Sequence, residues 1–218
     1  MSTYYEVLKN KTASFIGDSL FAAHTLGKEK SWIALLSEKY EMNSENYGIN
    51  GCTICECEGG SNPIIKRYVD MADNDPDFVV FEGGRNDFNK CAVLSSDDKL
   101  DVKTFCGALR ALILGLKEKY PESIIIGVSF WNSLTVNKEG VPCNIYTEAM
   151  LRVCREMGVP AINAMDEAAS GVRMTDKDFR TENCMVPGDV CHLNENGMKL
   201  ALPFFERELA RIYSENRK

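Results

Sequence analysis

Histidine is scarce in this chain: 218 residues contain two, His24 and His192. Chemistry that needs an imidazole base therefore has two candidates. Long apolar runs are missing too. None reaches about eighteen residues, which excludes a membrane-spanning helix on length alone. Basic residues are in the minority, 25 Lys and Arg against 32 Asp and Glu, and the net charge is −7. That balance argues against a nucleic-acid-binding domain, which needs a basic stripe, but leaves room for one small anion. The N-terminal stretch lacks the basic start and apolar centre of a secretory signal. No repeat, low-complexity tract or Pro/Gly/Ser-rich linker divides the chain.

What is present is ordinary globular composition, 44% apolar and 26% charged, in a length that suits one domain over residues 1–218. A domain of this size buries roughly 70% of its unfolded-chain surface and needs no covalent staples. Nine cysteines, an odd number, read as mostly free, buried thiols in a reducing compartment. The expected location is the cytoplasm.

Short apolar runs alternate with helical patterns. Ala13 to Ile16, Phe78 to Phe81 and Ile124 to Val128 are strand-like, Glu45 to Ile49 is a weaker strand, and Pro160 to Ile162 is the weakest. Ser31 caps a helix through Trp32, Ile33, Leu35 and Leu36. A second helix places Ile64, Ile65, Tyr68, Val69 and Ala72 on one face. The clearest helical repeat runs from Val102 to Leu116 and stops at Pro121. Asn144 caps a helix carrying Ile145, Ala149, Val153 and Met157. The last helix starts near Asn194 and runs toward Ile212, and Pro203 inside it predicts a kink or two pieces. Alternation of this kind gives βαβ units and a mainly parallel α/β sheet covered on both faces. Ligands of such sheets bind beyond the C-terminal strand ends. The residues to inspect are therefore Gly17 to Ser19, Gly48 to Thr53, Gly83 to Phe88, Phe130 to Asn132, and the Gly188 to Leu193 loop.

Chemistry-bearing residues fall at those places. Ser19 follows the first strand in Gly17-Asp18-Ser19-Leu20, where Gly17 permits a sharp turn. A serine hydroxyl needs a general base within hydrogen-bond reach. His192 has Asp189 three residues before it, and an aspartate there can hold one ring nitrogen and leave the other as base. Asn86, in Gly84-Arg85-Asn86-Asp87, carries an amide that can donate to an oxyanion. Gly51 offers a backbone N–H for the same purpose.

These four blocks, in order and in strand context, resemble the SGNH hydrolases, the GDSL esterase/lipase family. The resemblance spans nearly the whole chain. It implies a three-layer α/β/α sandwich, flavodoxin-like, with a five-stranded parallel sheet. It implies Ser19 as nucleophile, His192 as general base and then acid, and Asp189 as its orienting partner. The oxyanion hole is then the Ser19 N–H, the Gly51 N–H and the Asn86 side chain. The Gly-x-Ser-x-Gly elbow of the α/β-hydrolases is absent. A serine esterase acting on small-molecule carboxylic esters follows, with no metal or cofactor. Short acyl groups such as O-acetyl on carbohydrates are the leading substrate, because the loops look short and polar. A lysophospholipase or thioesterase of the family is the enzymatic alternative, and a non-catalytic ligand-binding domain of the same fold is another. The oligomeric state stays open.

Blander roles suit several neighbours. Asp18 and Asp87 read as loop-fixing carboxylates. His24 reads as a surface or loop histidine more than a substrate contact. Arg85 reads as solvent-facing or ion-paired more than as an anion contact. Phe130 and Trp131 divide evenly between core and pocket wall, and Phe88 shares that ambiguity. Cys52, Cys55 and Cys57 suggest zinc only weakly, because a structural site needs four ligands and no second cysteine pair has matching spacing. Cys191 reads as buried, although its oxidation could disturb His192.

Overall fold

The computed structural model describes residues 4–95 and 99–217. Five strands form one sheet: β1 (Thr12–Ile16), β2 (Asn43–Asn46), β3 (Phe78–Glu82), β4 (Ile124–Val128) and β5 (Ala161–Ile162). Their order is β2-β1-β3-β4-β5 and every pairing is parallel. This is the flavodoxin-like order, and the sandwich expected from the residues and the resemblance is the one found. The chain runs from β1 outward to β2, then crosses back to β3 on the other side of β1. The topological switch point thus lies between the C-terminal ends of β1 and β3.

The eight α-helices are α1 (Trp32–Tyr40), α2 (Ile64–Arg67), α3 (Arg85–Asn89), α4 (Phe105–Lys119), α5 (Cys143–Glu156), α6 (Glu167–Ser170), α7 (Lys177–Asn183) and α8 (Glu195–Asn216) among the described residues. α1 packs on α8, and α4 packs on α2 and α5, which gives the two outer layers. The core is anchored where Trp32 of α1 stacks on Phe205 of α8, ring centroids 3.7 Å apart. β3 is buried along its whole length, as a central strand covered on both faces must be. Among the described residues no helix is long and apolar enough to cross a membrane.

Ser31 does cap α1, its Oγ accepting the Ala34 N–H at 3.2 Å. Asn194 caps α8 through the N–H groups of Asn196 and Gly197. Other boundaries differ from expectation. β2 starts earlier and ends at Asn46, whose Oδ1 turns to accept the Gly48 N–H at 2.9 Å and closes the strand. The predicted face of the second helix breaks: α2 stops at Arg67, a 3₁₀ turn covers Tyr68–Asp70, and Val69 is 55% exposed. Arg67 there bends its guanidinium onto the carbonyls of Asn62, Tyr47 and Gly17. α4 begins only after Thr104, which caps it, so Val102 lies outside. α5 begins at Cys143 behind Pro142, so Asn144 is its second residue and bonds Glu148 instead of capping. α8 runs through Pro203 as one helix, because Met198, Ala201, Phe204 and Phe205 are buried on both sides of the proline and hold the two turns together.

Candidate active site

Three loops meet at the switch point. Ser19 follows β1, Asn86 opens α3 just after β3, and the residue 184–193 loop folds back over the same edge. An antiparallel bridge between Cys184 and Leu193 closes that last loop, and the Met185 N–H bonds the His192 carbonyl at 2.9 Å. The result is a continuous hydrogen-bonded row. The Ser19 Oγ lies 3.0 Å from His192 Nε2, and His192 Nδ1 lies 3.0 Å from Asp189 Oδ2.

Asp189 is fixed by more than the ring. Its Oδ1 accepts the N–H groups of Cys191 at 2.8 Å and His192 at 2.9 Å. Burial alone would raise its carboxyl, but those two N–H donors and the imidazole outweigh burial and hold it below the usual carboxylate range. Asp189 is therefore an anion wherever the imidazole needs one. Ser19 is 7% exposed, so its hydroxyl sits in a largely dry environment.

Of the expected oxyanion donors, Gly51 and Asn86 follow the C-terminal ends of β2 and β3. Gly51 has φ +75°, a conformation that favours glycine. Asn86 is half-buried, and its Nδ2 donates to Asp18 Oδ2 and to the Cys52 carbonyl, each at 3.0 Å. Both amide protons are thus engaged, and the donor is held firmly in one rotamer.

Asp18 and Asp87 are structural anchors. Asp87 is fully buried and accepts from the Ile54 and Cys55 N–H groups at 2.9 and 3.0 Å, tying the loop after Gly51 to α3. Asp18 accepts the Leu20 N–H at 2.9 Å as well as the Asn86 amide. Burial raises both carboxyls. Behind them sits Glu82, the last residue of β3 and 1% exposed. Sequence reading passed over this residue. Its signal is a charged side chain ending a wholly apolar strand, directly before the Gly-Gly turn.

His24 is a loop histidine, as expected, but half-buried and set against the site. Its ring stacks on His192 with centroids 4.0 Å apart and planes 18° apart. Ala23 and His24 both have left-handed backbone, φ 53° and 44°, which turns the chain back over the row. Arg85 departs from expectation. It is half-buried, bonds the hydroxyls of Ser133 and Thr135, and lies over the Phe88 ring. It makes no ion pair among the described residues. Phe88, Phe130 and Trp131 are 1%, 1% and 5% exposed, so all three belong to the core.

All nine cysteines are free. Burial pushes the Cys191 thiol far up, with Arg85 opposing weakly, so a reactive thiolate is scarce beside His192. Cys52 is pushed up to about 12 by burial first. Donor atoms of Cys55, Cys57 and Asp87 lie within 4.8 Å of one another. Metal would have to displace the two N–H donors that already satisfy Asp87, and ionise a Cys55 thiol that burial and the Asp87 charge hold protonated. That donor set fits a metal poorly.

Comparison with known proteins agrees with this architecture. A protein from Lactobacillus plantarum superposes with TM-score 0.81 at 22% identity, covering 96% of this chain and 99% of its own. A member of the lipolytic G-D-S-L family from Veillonella parvula gives TM-score 0.63 at 15% identity, covering 92% and 98%. A two-domain esterase active on acetylated mannans, crystallised with mannopentaose, gives 0.60 at 15% identity, covering 98% of this chain and 52% of the esterase. At these identities the likeness is one of fold. No curated protein matches the chain. Residues 15–200 match the GDSL-like lipase/acylhydrolase family, a span that holds Ser19, Gly51, Asn86, Asp189 and His192, and the chain belongs to that family.

Proposed function

We propose that this protein is a serine esterase that cleaves small-molecule carboxylic esters through an acyl-enzyme. The observation that carries the reading is the Asp189–His192–Ser19 row, with both links at 3.0 Å. Ser19 Oγ attacks the ester carbonyl while His192 Nε2 takes its proton. The tetrahedral oxyanion collapses, His192 returns the proton to the departing alkoxide, and an alcohol leaves. Water then attacks the acyl-serine, with His192 again accepting a proton, and releases the acid. Asp189 stabilises the imidazolium in both halves. The Ser19 and Gly51 N–H groups meet the oxyanion, and Asn86 joins them by exchanging the Cys52 carbonyl for it. Such bonds tighten as the transition state forms, and each donor contributes about 3–4 kcal/mol there. No step draws on a metal or cofactor.

Short acyl groups such as O-acetyl on carbohydrates suit the site best. The aromatic residues at this edge pack into the core instead of lining an acyl tunnel, and the acetylmannan esterase shares the fold. Leu134 and Val136, 73% and 62% exposed in the loop after β4, are what would favour a longer acyl chain. Nine free thiols support a cytoplasmic setting.

Turnover of p-nitrophenyl acetate should exceed that of p-nitrophenyl octanoate. Mass spectrometry of acid-quenched reactions should find an acetyl group on Ser19. Turnover with the adduct on another residue would overturn the mechanism, and faster octanoate cleavage would overturn the short-acyl assignment.

The stacked His24 ring has a smaller part. A ring pair is worth about 0.5–1.5 kcal/mol, so His24→Ala should lower kcat roughly 2–10-fold with KM little changed. His24→Phe should recover most of it. Steady-state kinetics of the two variants checks this, and a loss confined to KM would show that His24 touches substrate instead.

A further inference from the structure

Glu82 ends β3 directly behind the nucleophile turn. Its Oε2 accepts the Asp18 N–H at 3.1 Å. Its Oε1 is buried with no hydrogen-bond partner. The Asp18 and Glu82 side chains are both buried here, 0% and 1% exposed, and each carboxyl shifts the titration of the other. The space is tight: a Cβ on Gly17 would lie 2.8 Å from Glu82 Oε2.

Other ionisable groups around the pair do not neutralise it. Asp87 adds a like charge to both carboxyls. The thiols of Cys52 and Cys191 face them and are held neutral by burial. Arg67 directs its guanidinium to the Gly17 carbonyl and the Cys52 sulfur. His192 faces Asp18 from across the site. Two neighbouring carboxylates removed from water resist ionising together, which favours one proton shared by the pair. Its location follows from the donors. Asp18 receives the Leu20 N–H and the Asn86 amide, which stabilise an anion. Glu82 receives one N–H and has an orphan oxygen. Burial, then the Asp18 charge, raises the Glu82 carboxyl well above the usual range.

We propose that Glu82 is a positioning residue for the ester chemistry: as a neutral acid it donates to the Asp18 carboxylate, which in turn aims the Asn86 amide and fixes the turn carrying Ser19. This rests on the reading of Ser19 and Asn86 given above. Loss of the Glu82 proton puts two negative charges side by side, and Asp18 can no longer hold Asn86 in place.

Glu82→Gln and Glu82→Leu test it beside wild type. Glutamine retains a donor for the Asp18 carboxylate and an acceptor for the Asp18 N–H, but cannot titrate. Leucine removes both. Glu82→Leu should lose roughly 10-fold or more in kcat, short of the ~10²–10³ for removing an oxyanion donor outright, with KM little changed. Glu82→Gln should restore most of that loss. Wild-type kcat should decline as pH rises through the raised Glu82 value, and Glu82→Gln should lack that decline. Thermal unfolding reads the same proton without substrate. The folded state binds it more tightly than the unfolded chain, so its contribution to stability is complete below the ordinary glutamate pKa of about 4.3. That contribution is lost as pH rises through the folded value, and wild-type Tm should fall behind that of Glu82→Gln with rising pH. Superimposable kcat–pH profiles with parallel Tm–pH curves would overturn the proposal, and so would a glutamine variant as slow as leucine. If Glu82→Leu does not fold, the glutamine comparison decides alone. An active Ser19→Ala protein would instead remove the nucleophile reading, while the unfolding curves would still report the shared proton.

Discussion

Ser19→Ala should lower kcat/KM for p-nitrophenyl acetate by at least ~10³-fold, with a Tm close to that of wild type. The Ser19 hydroxyl makes one side-chain bond, to His192. The turn that carries it is held by other groups: the Leu20 N–H on Asp18 and the His24 N–H on the Ser19 carbonyl at 3.0 Å. Removing one oxygen therefore deletes the proposed nucleophile and leaves its frame. His192→Ala should lose activity to a similar extent, because an unassisted serine hydroxyl is as ineffective as none. The double variant should be no slower than the slower single variant, since the two residues act as one unit. What activity remains is expected from the proposed oxyanion donors and binding, which none of these substitutions touches. A Ser19→Ala protein that keeps wild-type turnover would remove Ser19 as nucleophile. Multiplicative losses in the double variant would mean that the two side chains act in separate steps.

How far the residues alone reach depends on which force positions each element. β3 and β4 are central strands, buried on both faces, and their apolar runs announce them. β2 is an edge strand of Asn-Ser-Glu-Asn. Its place is set by pairing with β1 and by the Asn46 turn, not by hydrophobicity, so its expected range starts two residues late and ends three late, toward the apolar Tyr47 and Ile49. α2 fails for a related reason: periodicity registers Val69 as inward, but Arg67 reaches back to three carbonyls and the helix gives way to a tighter turn. Ser19, Asp189 and His192 stand out because short motifs mark them in segments at the sheet edge where parallel sheets bind ligands. Their closure into one row depends on the Cys184–Leu193 bridge, which no local pattern displays. The parts that His24 and Glu82 play are harder to read than their presence. Each acquires meaning only from a partner far along the chain, His192 in one case and Asp18 in the other, so spacing within a motif carries no trace of them.

Asp189→Asn should reduce kcat by ~10³–10⁴-fold, as expected when a triad imidazole is locked in the wrong tautomer, while KM changes little. The carboxylate performs two tasks that the variant separates. Its Oδ1 accepts the Cys191 and His192 N–H groups, and an asparagine carbonyl oxygen can continue to do so. Its Oδ2 faces His192 Nδ1 at 3.0 Å and requires that nitrogen to be the donor. Asparagine places an NH₂ there, so Nδ1 must become the acceptor and the ring proton moves to Nε2. His192 then points an N–H at the Ser19 hydroxyl and cannot take its proton. The loop geometry survives, and the rate does not. Ring ¹⁵N chemical shifts of His192 should show this tautomer change in the folded variant, which separates mis-protonation from mis-folding. Stability gives an independent reading. Because the folded Asp189 carboxyl lies below its ordinary value, its contribution is present above a carboxylate pKa of about 3.9 and is lost as pH falls through the folded value. Wild type should therefore be the more stable protein at neutral pH, and the gap in Tm should close in acid. An Asp189→Asn enzyme within about 10-fold of wild type in kcat, with Nδ1 still protonated, would end the orienting role assigned to Asp189.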